Sequence, residues 1–351
     1  MVNETMHMNG LWMYTLKERY ECRILEFNKD GSIGRGSASC ERKWKVDKDA
    51  IVILGDYGET CKLSKENDTL YSGKWSVQRD VNVQLEKVDD KKFMYNTVNL
   101  NCHDINIGDM FSAPSRYYDQ LGYIDSVNHH AIIKKEICVI GGGGLMHKSF
   151  QEMLNRRMQV MGDRCIFWGI GSNNHDIMNS YFYDYLKKSP LVGVRDYVGD
   201  YRWVPCASCK HPVFDACFMV KPKYEYMYFI HKEFKSKLPS WVDTKYPVIF
   251  NDSTNIVDVC MKLSLGDTII TNTYHGSYWS TIMGKKVVVY PFSNRFFNMK
   301  HEPLIVRENV KLSDIKDMTR SYPHALQECR NANDEFYKDA INKIKELSDH
   351  M

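Results

Sequence analysis

The chain has 351 residues, of which 43% are hydrophobic, 13% aromatic and 26% charged, with a formal net charge of +3. That length gives room for two or three cores, and the composition excludes a disordered chain. Charges of both signs are mixed along the chain, which argues against a nucleic-acid binder with its concentrated basic face.

Eleven cysteines, an odd number without framework spacing, lead us to expect reduced thiols and a cytoplasmic protein. The start, MVNETMHMNG, lacks the apolar stretch of a signal peptide. No run approaches the roughly 18 apolar residues that a membrane span needs. Peripheral work at a membrane stays open.

Residues 9–86 read as a small antiparallel β domain. Short β-branched and aromatic runs (NGLWMYTL, YECRILEF, GSIGRGSA, KWKVDKDAIVILG, ETCKLSKENDTLYSG, VNVQLEKV) are separated by turn pairs such as Asp30-Gly31, Asn67-Asp68 and Ser72-Gly73. This spacing suits a meander closing into a sandwich or barrel. Trp12, Phe27, Trp44, Leu54 and Trp75 are its expected core. The tryptophans could instead stack on sugar rings, but in small β domains they more often fill the interior.

From about residue 91 the pattern becomes α/β. MYNTVNL, EICVIGG, RCIFWGIG and PLVGVRD read as buried strands, alternating with helices expected at 112–121, 149–160 and 176–188. A second set follows a break near 215–225. Its strands are YMYFIH, YPVIFND, TIITNT and KKVVVYPF, and its helices NIVDVCMKLSL and HGSYWSTIMG. A last amphipathic helix over 334–348 has Asn333 as its expected N-cap. The expectation is two Rossmann-like halves, 91–222 and 223–351, around a cleft, preceded by the β domain of 1–90.

Four loops fall at the carboxyl ends of predicted strands, where such sheets bind ligands. They are 99–114, the glycine loop 141–144, 193–215 and 271–279. ICVIGGGGLMHKSF, 137–150, runs from strand to glycines to helix, which brings backbone amides and a helix N-terminus to an anion. Taken alone this could equally be a plain strand-to-helix turn. Arg195 ends a strand and can fork onto a carboxylate or phosphate, or pair with Asp196. His275 lies at a strand–helix junction, suited to proton transfer or to capping and packing against Trp279. Cys206 and Cys209 form a CxxC without a second zinc pair, and prolines bracket the loop, so a structural loop is the better reading. No Ser/His/Asp order, HExxH or Asp-x-Asp stands out, and no cluster asks for a metal.

Six pieces, in order, resemble the polysaccharide pyruvyl transferase family: NIGD (106–109), CVIGGGGLM (138–146), WGIGSN (168–173), GVRD (193–196), VPCASCKHPVFD (204–215) and TNTYHGSYWSTIMGKKVVVYPFSNRF (271–296). The resemblance covers residues 96–300. It implies a GT-B-like fold and transfer of pyruvyl from phosphoenolpyruvate to two hydroxyls of a sugar, giving a ketal and phosphate, without a cofactor. The acceptor would be a sugar, an oligosaccharide or a lipid-linked glycan. Arg195 matches the family arginine implicated in binding the donor, and His275 the histidine proposed for donor binding and proton transfer. Gly142, Gly143, Gly144, Gly171, Gly276, Ser277 and Arg295 are expected on the donor side. Asn106, Asp109 and His147 are expected on the acceptor side. Thr273 stands where some members carry a further arginine, and Arg295 or Lys300 would replace it. The β domain lies outside the match and is similar to small β modules on some capsule-assembly enzymes. A nucleotide-sugar glycosyltransferase and a non-catalytic carbohydrate-binding protein are the alternatives.

Overall fold

The N-terminal unit is a curled antiparallel sheet of β1 (Gly10–Leu16), β2 (Glu21–Phe27), β3 (Lys43–Asp47), β4 (Ala50–Gly55), β5 (Gly58–Asn67), β6 (Leu70–Trp75) and β7 (Asn82–Lys87). The strands run in the order β2-β1-β7-β6-β5-β4-β3. Bridges from Phe27 to Ile33 and from Ser32 to Lys43 tie β2 to β3, so the sheet curls back on itself. Alternation drives it: Trp12, Tyr14 and Leu16 of β1 point inward, with less buried residues between them. Phe27 stacks between Trp12 at 6.3 Å and Trp44 at 5.2 Å, and Trp75 is buried too, so the tryptophans fill the interior. Leu54 departs from expectation. The β4–β5 register shifts between Ile53 and Leu54, leaving Ile53 in the core and Leu54 half-buried. GSIGRGSA forms turns and single bridges rather than a full strand.

The computed structural model describes residues 8–17, 21–76, 81–102, 106–126, 136–172, 180–197, 199–293, 295–307 and 310–351. After the curled sheet come two parallel sheets. The first contains β8 (Thr97–Asn101), β9 (Tyr123–Ser126), β10 (Ile137–Ile140), β11 (Gly143–Met146), β12 (Cys165–Ser172), β13 (Leu191–Val194) and β14 (Arg202–Trp203). Its order is β14-β13-β12-β10-β8-β9, with β11 paired to β12. The second contains β15 (Tyr224–Ile230), β16 (Val248–Phe250), β17 (Gly266–Thr271), β18 (Lys286–Val289) and β19 (Leu304–Ile305), in the order β16-β15-β17-β18-β19. β10 and β12 are buried along their whole length, as parallel strands covered on both faces must be. In each sheet the direction of winding reverses once, between β8 and β10 and between β15 and β17. Such reversals open a crevice at the strands' carboxyl ends.

The helices are α1 (Ile107–Met110), α2 (Lys148–Met161), α3 (Ser180–Lys188), α4 (Val213–Phe218), α5 (Ile256–Ser264), α6 (Tyr274–Ile282), α7 (Leu312–Ile315) and α8 (Ala325–Asp349). The helix expected at 112–121 is instead a 3-10 turn, Pro114–Arg116, followed by a left-handed Gln120. The chain must turn there to enter β9, a strand that the sequence reading missed. The first part of the helix expected over 176–188 lies outside the described residues. α6 is buried on every side, which its small residues Gly276, Ser277 and Ser280 permit.

Asn333 is not a cap. It sits fully buried within α8, which begins at Ala325. Its Oδ1 accepts from Trp168 Nε1 at 2.8 Å, and its Nδ2 donates to Pro205 O at 3.2 Å and Cys329 O at 2.9 Å. α8 therefore spans two cores. Ala325, Leu326 and Cys329 pack with α5 and α6, while Phe336, Ala340 and Ile344 pack against Val139, Ile166 and Trp168 of the first parallel sheet. The curled sheet rests on that same parallel sheet through Ile24, beside Val98 and Tyr123.

Candidate functional site

A cleft of about 450 Å³ lies at the carboxyl ends of both parallel sheets, where their winding reverses. From the first sheet come Asn106, Gly108 and Asp109 after β8, Gly144 and His147 near β11, and Arg195 after β13. From the second come His231, Glu233, Asn251, Thr273, His275 and Arg295.

Buried amides and hydroxyls shape these loops. Asn99, on β8, donates through Nδ2 to Val139 O and Gly141 O and accepts from Ser115 N and Oγ, so it pins the glycine loop to the turn after α1. Gly141 has φ +146°, and a Cβ there would lie 1.9 Å from Trp168 O. Asn106 caps α1 by accepting from Gly108 N, and Ile107 N donates to Asn251 O across the cleft. His147 caps α2. On the far side Asn272 Oδ1 accepts from His231 N, and Asn251 Oδ1 from Lys232 N. Thr273 is the N-cap of α6 and accepts from Gly276 N at 2.9 Å.

Two arginines face the cleft. Arg195 is 3% exposed. Its guanidinium carbon lies 3.8 Å from the centre of the Tyr274 ring, and its Nε is buried with no hydrogen-bond partner. The alternative of a pair with Asp196 is not seen among the described residues, and Asp196 accepts from Ser172 N at 2.8 Å. Arg295 also has a buried Nε without a partner and lies over Phe292 at 4.6 Å. Burial and the repulsion of Arg195 bring its pKa down to about 10, against the opposing pull of Asp109. Lys300, the other candidate, pairs with Glu328 at 3.1 Å and is absent from the cleft wall.

His275 is buried in the same cleft wall as the two arginines. Its ring rests on Gly108, where a Cβ would fall 1.8 Å from Nδ1. Its Nε2 lies 3.6 Å from Cys206 Sγ, and Trp279 packs at 5.3 Å between ring centres. Burial, then Arg195 and Arg295, push its pKa well below the ordinary value. The imidazole is therefore neutral at pH 7, not poised near neutrality as the sequence suggested, and can accept a proton. Cys206 and Cys209 are free and buried. Ser208 between them accepts from Trp279 Nε1, and Tyr278 OH donates to Cys206 O, so the CxxC loop is bolted to α6.

The other expected donor-side residues stand behind the wall. Gly142 and Gly143 are buried, Ser277 lies against Met299, and Gly276 packs on Phe229, Thr271 and Thr273. Gly171 leaves room for Arg195, since a Cβ there would sit 2.1 Å from its Nε. His231 was missed, although its place at the end of YMYFI is the same signal that singled out His275. Among the described residues no group of His, Cys, Asp and Glu is placed to hold a metal. No described helix is long and apolar enough to cross a membrane.

No family model and no curated protein matches the chain. Two solved structures share local likeness. A psychrophilic marine protease inhibitor is 12% identical, with TM-score 0.21, covering 24% of this chain and 98% of its own. An uncharacterised protein from Klebsiella pneumoniae is 12% identical, with TM-score 0.39, covering 58% of this chain and 86% of its own. At those scores neither bears on what the chain does.

Proposed function

We propose that the chain is a phosphoenolpyruvate-dependent ketal-pyruvyltransferase acting on a sugar, with its two parallel sheets paired in the GT-B manner. One observation carries the reading. Arg195, buried, and Arg295, half-buried, both line the cleft beside a neutral histidine, each with an Nε that has no hydrogen-bond partner. Two like charges that repel each other in a partly desolvated cleft are stabilised by an anion that joins them. Phosphoenolpyruvate, with a carboxylate and a phosphate on one small frame, fits two such cations.

In this reading the arginines hold the donor's anionic groups. The methylene carbon gains a proton, and a sugar hydroxyl adds to the adjacent carbon as it loses one. Phosphate then leaves, the second hydroxyl adds, and its proton goes to phosphate. The cationic carbon centre between these steps is stabilised by the bound carboxylate and the fixed dipoles around it. Neutral His275 accepts a hydroxyl proton, worth roughly 10²–10⁴-fold in rate. Donor charge between the arginines offsets their field, so His275 gains basicity once the donor is in place.

The test is thermal unfolding of the whole chain with phosphoenolpyruvate, and separately with UDP- and GDP-sugars. A ligand at 100 times its dissociation constant adds about 2.7 kcal/mol of stability. Stabilisation by phosphoenolpyruvate, lost in Arg195→Ala, is expected. Stabilisation by a nucleotide sugar alone would replace this reading with glycosyl transfer.

A further inference from the structure

Beyond Phe292 the cleft gives way to an open groove of about 500 Å³. Its wall is built from aromatic rings. Trp241 and Tyr290 stack face to face, 4.3 Å apart and within 1° of parallel. Phe234 stands 6.3 Å from Phe292. Phe292 and Phe297 are 49% and 40% exposed, and the Arg307 guanidinium lies 5.2 Å from the Phe297 ring centre. Polar atoms are set among the rings. Asn272 lines the groove, and the Ser293 hydroxyl in its wall is buried without a hydrogen-bond partner.

Exposed phenyl rings that line one groove suit a binding surface. Rings interspersed with an amide, a hydroxyl and a guanidinium suit a ligand that is apolar on one face and rimmed with hydroxyls. A pyranose ring is such a ligand: its axial C–H groups pack on an aromatic face while its hydroxyls reach polar atoms. The groove is also continuous with the cleft. Phe292 lines both, its ring lying 5.6 Å from that of His231 and beneath the guanidinium of Arg295. Asn272 fixes the backbone of His231 on the cleft side.

We propose that this groove is the acceptor subsite, seating a pyranose ring of the glycan on Phe292 and Phe297 so that the next ring presents its hydroxyls in the cleft. This deepens the pyruvyl-transfer reading and rests on it for the word acceptor, while the groove's chemistry stands on its own residues.

The experiment is saturation-transfer NMR on the full chain with methyl β-glycosides of galactose, glucose, mannose and N-acetylglucosamine, each at millimolar concentration. The variants are Phe297→Ala and Arg307→Ala, and phosphoenolpyruvate stabilisation is measured in parallel. Transfer to the ring protons of at least one glycoside is expected, weakened at least fivefold in Phe297→Ala. No transfer from any glycoside, or equal transfer in the native chain and both variants, overturns the proposal. Transfer lost in Phe297→Ala, with no stabilisation by phosphoenolpyruvate in the native chain, keeps the sugar site and overturns only the pyruvyl-transfer reading.

Discussion

Arg195 and Tyr274 are locked face to face, the guanidinium carbon 3.8 Å from the ring centre, although they come from different parallel sheets. Tyr274 opens α6, directly before His275. The contact holds against the cleft wall a guanidinium whose buried Nε has no hydrogen-bond partner. A lysine would keep the charge but lose both the stacking and the fork. Arg195→Lys is expected to raise the KM for phosphoenolpyruvate at least tenfold, since hydrogen bonds to charged groups contribute about 1.5–3 kcal/mol. The KM for the acceptor should stay within a few-fold. Steady-state kinetics with each substrate varied would decide, and equal effects on both would make Arg195 a structural residue.

Gly108 tests the seat of the histidine. A Cβ there would collide with Nδ1 of His275, whose ring is wedged against Trp279 and Cys206. Gly108→Ala is expected to displace the imidazole and lower kcat by about a hundredfold or more, within the range that proton transfer contributes. Far-ultraviolet circular dichroism should stay native, because the site is a cleft loop on the four-residue α1. Native kcat in this variant would remove His275 from the chemistry.

The charge state of His275 follows from its surroundings. Its folded pKa lies well below 6.5, so near and below that pH the unfolded chain binds a proton that the folded chain refuses. This histidine's share of stability is therefore complete above 6.5 and declines as pH falls below it. His275→Asn should reduce the loss of Tm between pH 7 and pH 5.5. Imidazole NMR should place the His275 pKa below 6.5 in the free protein and move it upward when phosphoenolpyruvate binds. A downward or absent shift would show that the donor does not lie between the arginines.

Asn333 joins Trp168, Pro205 and Cys329. Asn333→Leu keeps similar bulk but strands the Trp168 indole N–H and the Pro205 carbonyl without partners. Each buried group so stranded costs about 1–3 kcal/mol, giving a loss on the order of 2–6 kcal/mol. Denaturant unfolding would measure it. A loss below about 1 kcal/mol would mean that water or a shifted helix replaces the bonds.

Periodicity alone located most of this fold. The alternation in β1, the continuous apolar runs of β10 and β12, and the switch from period-two to helical spacing near residue 91 are local signals, and the structure follows them. The glycine loop, Arg195 and His275 were also marked by local signals, since each ends a strand. The errors arose where a distant partner overrode the local pattern. Asn333 looked like a cap, because nothing nearby in sequence reveals the indole of Trp168, 165 residues away. Residues 112–121 looked helical, because the need to turn into β9 is set by the sheet. Gly171 and Gly276, which the resemblance put on the donor side, make room for Arg195 and for Phe229 and Thr271. Strand identity and the list of chemical groups are carried in the sequence because they depend on neighbours along the chain. Which cations share a cavity, which histidine loses its charge and which glycine faces a side chain depend on through-space burial and field, and those exist only once two parallel sheets bring the ends of their strands together.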